Sequence, residues 1–417
     1  MIFNDSTYNT SWQIKPLNKL GDFARGKSKH RPRNDKNLFI DGQYPFIQTG
    51  EIKEVNLFIR KHYENYNDVG LRQSKIWPKN TLCITIAANI AETALLGYPM
   101  CFPDSVVGFN AYPDESSEIF MHYVFTYIKK SIQNSASGSI QDNINIDYLT
   151  GLKFRIPQKT YQDSIVSVLS VHDTKIELNN KINVELEQIA KTIYDYWFVQ
   201  FDFPDKNGKP YKSSGGKMIW SEGLKREIPE GWEVKKLKEA FEFEKGIEPG
   251  SSEYLDFSIN NNCIKFFRVG DIEGESSVYV DSSNNKYVIA NERDVMVTFD
   301  GSVGKLGFGL KGAFSSGLRK IYDKSKKIDN SLVYFIFRDK RIIATIHKYA
   351  TGSILLHAGS SINHLSIPFE ENVYLNFQEI ITPIFNQMIK NRQENQKLAE
   401  LRDWLLPMLM NGQVKVK

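Results

Sequence analysis

Apolar positions along this chain keep two different periods, and each period occurs twice. Residues 12–157 and 232–368 carry short runs rich in β-branched and aromatic residues, punctuated by glycine. Examples are YPFIQTGEI (44–52) and TLCITIAANIAETALLG (81–97) in the first stretch, KFFRVGDIEG (265–274) and DVMVTFDGSVGKLGFG (294–309) in the second. Such runs predict strands, with a helix near 116–133 and a helical stretch near 330–349. After each stretch the apolar spacing becomes heptad-like. Ile165, Leu169, Ile176, Leu186, Ile193 and Trp197 form one line, and Phe377, Ile381, Met388, Leu398 and Leu405 form the other. Each line covers about 40 residues, which predicts a helix of roughly 60 Å at about 1.5 Å per residue.

The two strand-rich stretches are imperfect copies. Trp12, Ile14, Lys15, Leu17, Phe23 and Gly26 match Trp232, Val234, Lys235, Leu237, Phe243 and Gly246 at an offset of 220. Phe46, Gly50, Glu51 and Ile52 match Phe266, Gly270, Asp271 and Ile272 at the same offset. Each copy closes on a similar phrase, SASGSI (135–140) then Ile-Pro, and YATGSI (349–354) then Ile-Pro. The helical lines align at an offset of 212, so the length difference falls inside the copies. The expected class is α+β: two similar domains of mixed strands and short helices, separated by two long helices packed as an antiparallel coiled coil with pseudo-two-fold symmetry. With facing residue numbers summing to about 574, Trp197 meets Phe377, Leu186 meets Met388, and Ile176 meets Leu398. Asn183 then meets Asn391 and Asn179 meets Asn395, where a slip would bury unpaired amides. His172 falls opposite Arg402, a spot expected to be partly solvated.

Composition adds little until its distribution is considered. Hydrophobic content of 41% and charged content of 24% describe a globular chain, and a net charge of +4 permits a polyanion partner without requiring one. Residues 25–36 (RGKSKHRPRNDK) concentrate six Lys/Arg against one Asp. Cys83, Cys101 and Cys263 form no Cys-x-x-Cys pair, so buried free thiols are expected. Neither a signal peptide nor a membrane span is expected, and a cytoplasmic location fits. Methyl transfer would need an Asn/Asp-Pro-Pro-aromatic motif, yet the sequence holds no Asn-Pro or Asp-Pro dipeptide. GSVGKLG (301–307) lacks P-loop spacing. Asp205 with Glu233 and Lys235 imitates a metal-nuclease pattern, but no strand pair is expected to present both acids. No metal site is expected from the seven histidines.

The connecting phrases carry a family resemblance. YDYWFVQFDFP (194–204), GKPYKSSGGKMIW (208–220), REIPEGWEVKKL (226–237) and QKLAELRDWLLPMLMNGQV (396–414) resemble the specificity subunit of type I restriction–modification systems. The resemblance implies a DNA-recognition subunit without catalysis of its own. Target-recognition domains at 1–157 and 229–368 would each read half of a bipartite, asymmetric target. Spacer helices at 158–203 and 369–417, with a linker at 204–228 docked through its aromatics, would set the gap. Two modification subunits using S-adenosylmethionine would dock on the chain, and restriction (motor-nuclease) subunits using ATP and Mg could join; the chain itself would hold no cofactor. Candidate contacts to double-stranded DNA are Arg25, Lys27, Lys29, Arg31 and Arg33 in the first domain. Those in the second are Arg268, Ser302, Lys305, Arg319 and Lys320. Asn179, Asn183, Asn391 and Asn395 are the candidate register residues. A rival reading is an assembly scaffold with little direct DNA contact; a more distant one is a nuclease built around Asp205.

Overall fold

A computed structural model describes residues 2–137, 144, 146–256, 262–274, 276, 278–283, 285–353 and 355–416. The closing phrases fall partly outside these, at 138–140 and Ile354. The chain divides into two compact units, Met1–Glu177 with Gln396–Lys417, and Leu178–Asn395.

The first unit is built on a five-stranded sheet in the order Gly21–Arg25, Val106–Ala111, Leu82–Thr85, Thr93–Leu96, Phe58–Ile59. A smaller sheet runs Glu64–Tyr66, Tyr44–Phe46, Met100–Cys101, Ile76–Trp77. Strands Gln13–Pro16 and Lys153–Ile156 pair antiparallel and tie the two ends of the domain together. The helix Glu118–Ser137 packs its Phe120, Val124 and Phe125 into the same core as Leu82, Ile84 and Phe109.

The second unit repeats this plan. Its larger sheet runs Phe241–Lys245, Leu318–Asp323, Val295–Thr298, Leu306–Gly307, with no fifth strand among the described residues. Its smaller sheet runs Tyr279–Asp281, Cys263–Phe267, Gly312–Phe314, Ile289–Ala290. In both small sheets the second and third strands are parallel, Phe46 facing Cys101 and Phe266 facing Ala313. Glu233–Lys236 pairs with Ser366–Phe369 as the closing ladder. The helical stretch is broken into Asn330–Phe337 and Lys340–Lys348, because Asp339 leaves helical geometry and caps the second piece through Arg341 N.

Gly26 and Gly246 occupy one position in the two copies for one steric reason. A Cβ at Gly26 would lie 2.3 Å from Pro103 O and 2.4 Å from Phe102 O. At Gly246 it would lie 2.2 Å from Phe314 O and 2.3 Å from Ser315 O. Main chains meet there too closely for any side chain.

Several expectations need correction. Residues 49–53 and 269–271 are not strand. Each forms a helical turn, started by Gln48 N donating to Glu51 and by Arg268 N donating to Asp271; the acidic residue three positions on draws the chain into the turn. The first long helix is shorter than 158–203. It is α-helical over Lys159–Tyr194, ends in a π turn at Asp195–Val199, and stops before Phe201, whose φ is 65°. The linker holds a hairpin of Met218–Ser221 and Arg226–Pro229. Phe198, Phe201 and Phe203 are buried in the second unit's core, but Trp220 stands 58% exposed, its indole N–H donated to Glu222. The second long helix runs Glu371–Met410, followed by a non-helical tail.

Within each unit the long helices enter the local core. Ile165 and Leu169 share the first core with Leu406, Leu409 and Met410. Ala190, Tyr194 and Trp197 share the second with Phe377, Ile381, Phe385 and Met388. The close approach predicts that Gly26→Ala and Gly246→Ala each cost about 1–3 kcal/mol by overpacking. Gly50→Ala, whose Cβ meets nothing within 4 Å, is expected to change stability far less; thermal melting of the three variants makes the comparison.

Candidate nucleic-acid interface

The basic run leaves the strand Gly21–Arg25 and crosses the surface before the turn at Lys36–Leu38. Arg25, Lys27, Lys29, Arg31 and Arg33 are all exposed. Arg31 and Arg33 converge on Asp104, Arg31 at 3.4 Å, and Arg31 also donates to Ser28 O and His30 O. His30 Nε2 lies 2.7 Å from Asp35. The Asn37 amide and then His30 hold the Asp35 carboxyl below its ordinary range. The loop is thus organised by two carboxylates while its cations face water. Among the described residues, Lys27 and Lys29 have no ion-pair partner.

The second domain's candidates sit in three segments. Arg268 pairs with Asp271 at 3.3 Å, and Lys305 with Glu273 at 2.6 Å. Ser302 is exposed at the tip of the loop between Val295–Thr298 and Leu306–Gly307. Val269 brings two of these segments together: it is the side chain a Cβ would approach at both Gly301 and Gly317. Arg319 is half-buried and donates to Ser316 O at 2.6 Å and Leu318 O at 3.0 Å. Burial pulls its guanidinium below the ordinary arginine value, with Asp300 opposing. Lys320 differs from the other candidates. Its side chain is only 15% exposed, its ammonium pairs with Glu244 at 2.8 Å, and it donates to Ile289 O at 3.0 Å. Its charge is committed within the domain.

The asparagines meet on the facing long helices of the second unit. Asn391 Nδ2 donates to Asn183 Oδ1 at 2.8 Å, and Asn183 Nδ2 donates to Met388 O at 3.1 Å. Asn179 Nδ2 donates to Asn395 Oδ1 at 2.9 Å and to Glu394 at 2.8 Å. Partner numbers fall as residue numbers rise, so the segments run antiparallel here. Asn179 and Asn391 are 1% and 4% exposed, deep enough for a lost partner to matter.

Arg402 does not meet His172, and the spot is not a wet one. Its guanidinium pairs with Asp173 at 2.6 Å, with side chains 16% and 2% exposed, and Tyr123 donates to the same carboxylate at 2.6 Å. His172 Nδ1 instead lies 2.9 Å from Val168 O, one turn back on its own helix. His122, beside this group, is fully buried against Thr93 and has its pKa lowered to about 4, mainly by burial.

Asp205, the acid of the nuclease-like pattern, accepts from Asn207 N and Lys209 N, both at 2.8 Å, and so closes a turn. Lys235 lies 3.8 Å over the Phe369 ring. The described residues contain no cluster of His, Cys, Asp and Glu that could hold a metal ion, and no helix long and apolar enough to cross a membrane.

Sequence reasoning passed over two threonines. Thr85 and Thr298 are fully buried at the ends of matching strands and pin the loops that follow. Their shared offset of 213, together with Ala88 and Gly301, was the available signal.

Two strand-built domains with matching sheets, each joined to long helices with polar residues in their seam, define a duplicated two-domain subunit. The model of the type I restriction modification DNA specificity domain matches residues 9–188 and again 229–403, and the chain belongs to that family. It is 24% identical to the type I restriction enzyme MjaIX specificity subunit of Methanocaldococcus jannaschii, over 97% of this chain and 94% of the relative. It is 23% identical to the HindI specificity subunit of Haemophilus influenzae, over 95% and 98%. The crystal structure of the S subunit from M. genitalium shares the fold with a TM-score of 0.54 at 18% identity, covering 98% of this chain and 99% of that one. The chain is a specificity subunit of a type I restriction–modification system, a non-catalytic component.

Removing one partner of the buried pair is expected to be costly. Arg402→Ala would strand Asp173 and lower stability by about 3–5 kcal/mol, whereas Lys225→Ala, at an ion pair about 75% exposed, should shift stability by under about 1 kcal/mol. Denaturant unfolding of the two variants measures the contrast.

Proposed function

We propose that each domain reads one half of a bipartite, asymmetric DNA target while the paired long helices hold the two readers at a fixed separation. The observation that carries this reading is the internal duplication: the same two sheets and the same closing ladder occur twice, with different surface chemistry on each copy. The readers correspond to residues 1–157 and 229–368. Helices of 36 and 40 residues, about 54 and 60 Å at about 1.5 Å per residue, exceed the roughly 34 Å between half-sites one turn apart. In this reading they form a pseudo-two-fold antiparallel coiled coil, and the asparagines between 179 and 395 fix its register, because a slip strands buried amides.

The cations of residues 25–33, with Arg268 and Lys305, would neutralise phosphates, and neighbouring loops would meet base edges. Two modification subunits carrying S-adenosylmethionine would supply methyl transfer to an adenine in each half-site. Motor-nuclease subunits using ATP and Mg would complete the restriction complex, in the cytoplasm.

Mapping methylated adenines genome-wide in strains with and without this gene tests the reading. A bipartite motif that vanishes with the gene is the expected result, and an unchanged methylome would sink it. Inserting four residues into both helices adds about 6 Å, more than the roughly 3.4 Å rise of a base pair, so the gap in that motif should change; a constant gap removes the spacer role. Arg31→Ala with Arg33→Ala should weaken binding of the assembled methyltransferase to random duplex and flatten the slope of log K against log salt by up to about 0.9 per lost contact. An unaltered slope would take both residues out of the interface.

A further inference from the structure

One loop has the same main chain in both domains and almost nothing else in common. It follows the strand Leu82–Thr85 in the first copy and Val295–Thr298 in the second. Thr85 and Thr298 each donate their hydroxyl across the loop, to Asn89 O and Ser302 O. Each hydroxyl also accepts from the far side, Glu92 N at 2.9 Å and Lys305 N at 2.9 Å. Ala91 N and Gly304 N return to the threonine carbonyls, both at 2.9 Å. Left-handed φ values recur in step, 63° and 62° at Ala88 and Ala91, 70° and 82° at Gly301 and Gly304. Glycine adopts these values freely, but alanine does not, so the first copy holds an unfavourable backbone to keep the shape. Strain kept in place by surrounding bonds is a marker of function.

Side chains along the loop differ throughout: IAANIAE at 86–92 against FDGSVGK at 299–305. The nearby charges are even exchanged. Lys305 pairs with Glu273, while their counterparts Glu92 and Lys53 carry the opposite signs, Glu92 pairing with Lys129 and Lys53 reaching Asn89. What the copies share is therefore the main chain, including the amides of Asn89 and Ser302 at the loop tip. Among the described residues, neither amide donates to another group of the chain.

Two readers of different half-sites need different base contacts, but both half-sites have the same phosphodiester backbone. We infer that the loops at 86–92 and 299–305 are equivalent main-chain contacts to that backbone, made through the amides of Asn89 and Ser302 and independent of base sequence. The inference rests on the two-reader function proposed above. Backbone amides presented between left-handed residues suit an anionic oxygen, and phosphate contacts of this kind position a protein without specifying sequence.

The test uses the full chain assembled with its modification subunits. Exchanging residues 86–92 with 299–305 should leave the methylated motif as it is in the wild type; a changed motif would show that the loops read bases and overturn the inference. Thr85→Val with Thr298→Val removes both pins and should weaken binding to random duplex about tenfold, while Thr85→Ser with Thr298→Ser keeps wild-type affinity. Unchanged affinity in the valine variant overturns the inference, as does loss of modification subunits from the complex, which would make the loops a protein-docking surface. The exchange arm holds even if the valine variant fails to fold. A wild-type chain that yields no bipartite motif would instead defeat the underlying two-reader function, a distinguishable failure.

Discussion

The hydrogen bond between the amides of Asn183 and Asn391 is a polar constraint on the facing long-helix segments of the second unit. Ala190, Met388 and Ile389 are buried in the same core of the second unit, and apolar contacts of that kind tolerate a shift of one turn with modest loss. Amides do not. Asn391 is 4% exposed and bonded to Asn183 at 2.8 Å. In a shifted register each would face carbon, at a cost of about 1–3 kcal/mol per stranded group. Within the second unit the apolar residues supply affinity between the helix segments, whereas a slip would strand these amides.

The heptad spacing made both long helices legible in the sequence, because the period follows directly from which positions are apolar. It could not tell which polar residues would be buried. Summing residue numbers put His172 opposite Arg402, yet the guanidinium reaches Asp173 one position on. That choice is made by Tyr123, in a different element, whose hydroxyl fixes the carboxylate from the other side. The duplication likewise revealed two domains, but the turns at 49–53 and 269–271 were hidden in runs that look like strand. Among the charged candidates, exposure separates Arg31 and Arg33 from Lys320, which a nearby Glu244 draws inward. Propensity scales carry no such information, since it depends on the neighbouring strand.

Comparing the copies shows which features the fold cannot exchange. Gly26 and Gly246 are held by carbonyl oxygens that would touch any Cβ, and Thr85 and Thr298 by paired bonds to the loop each one closes. Charges are freely rewritten: Lys53 and Glu92, which do not pair with each other, stand where the second copy has the ion pair of Glu273 and Lys305. Surface ion pairs contribute little stability, so they can change with the partner surface while the main chain stays as it is.

The domains are also clamped to the helices by the same plan in different chemistry. In the first unit, Tyr123 donates to Asp173 on the first long helix, and Arg402 of the second long helix closes on that carboxylate. In the second unit, Tyr334 donates to Glu187 at 2.8 Å, and Arg392 lies 3.9 Å over the Phe308 ring while donating to its carbonyl. In the second unit the domain thus grips one helix through a tyrosine and an acid and the other through an arginine; in the first the arginine ties helix to helix, and Leu406, Leu409 and Met410 join the second helix to the domain core. A domain attached to a single helix could swivel about it. Two attachments on different helices remove that rotation. Because they are buried, water and salt compete with them poorly, so orientation within each unit persists as ionic strength rises.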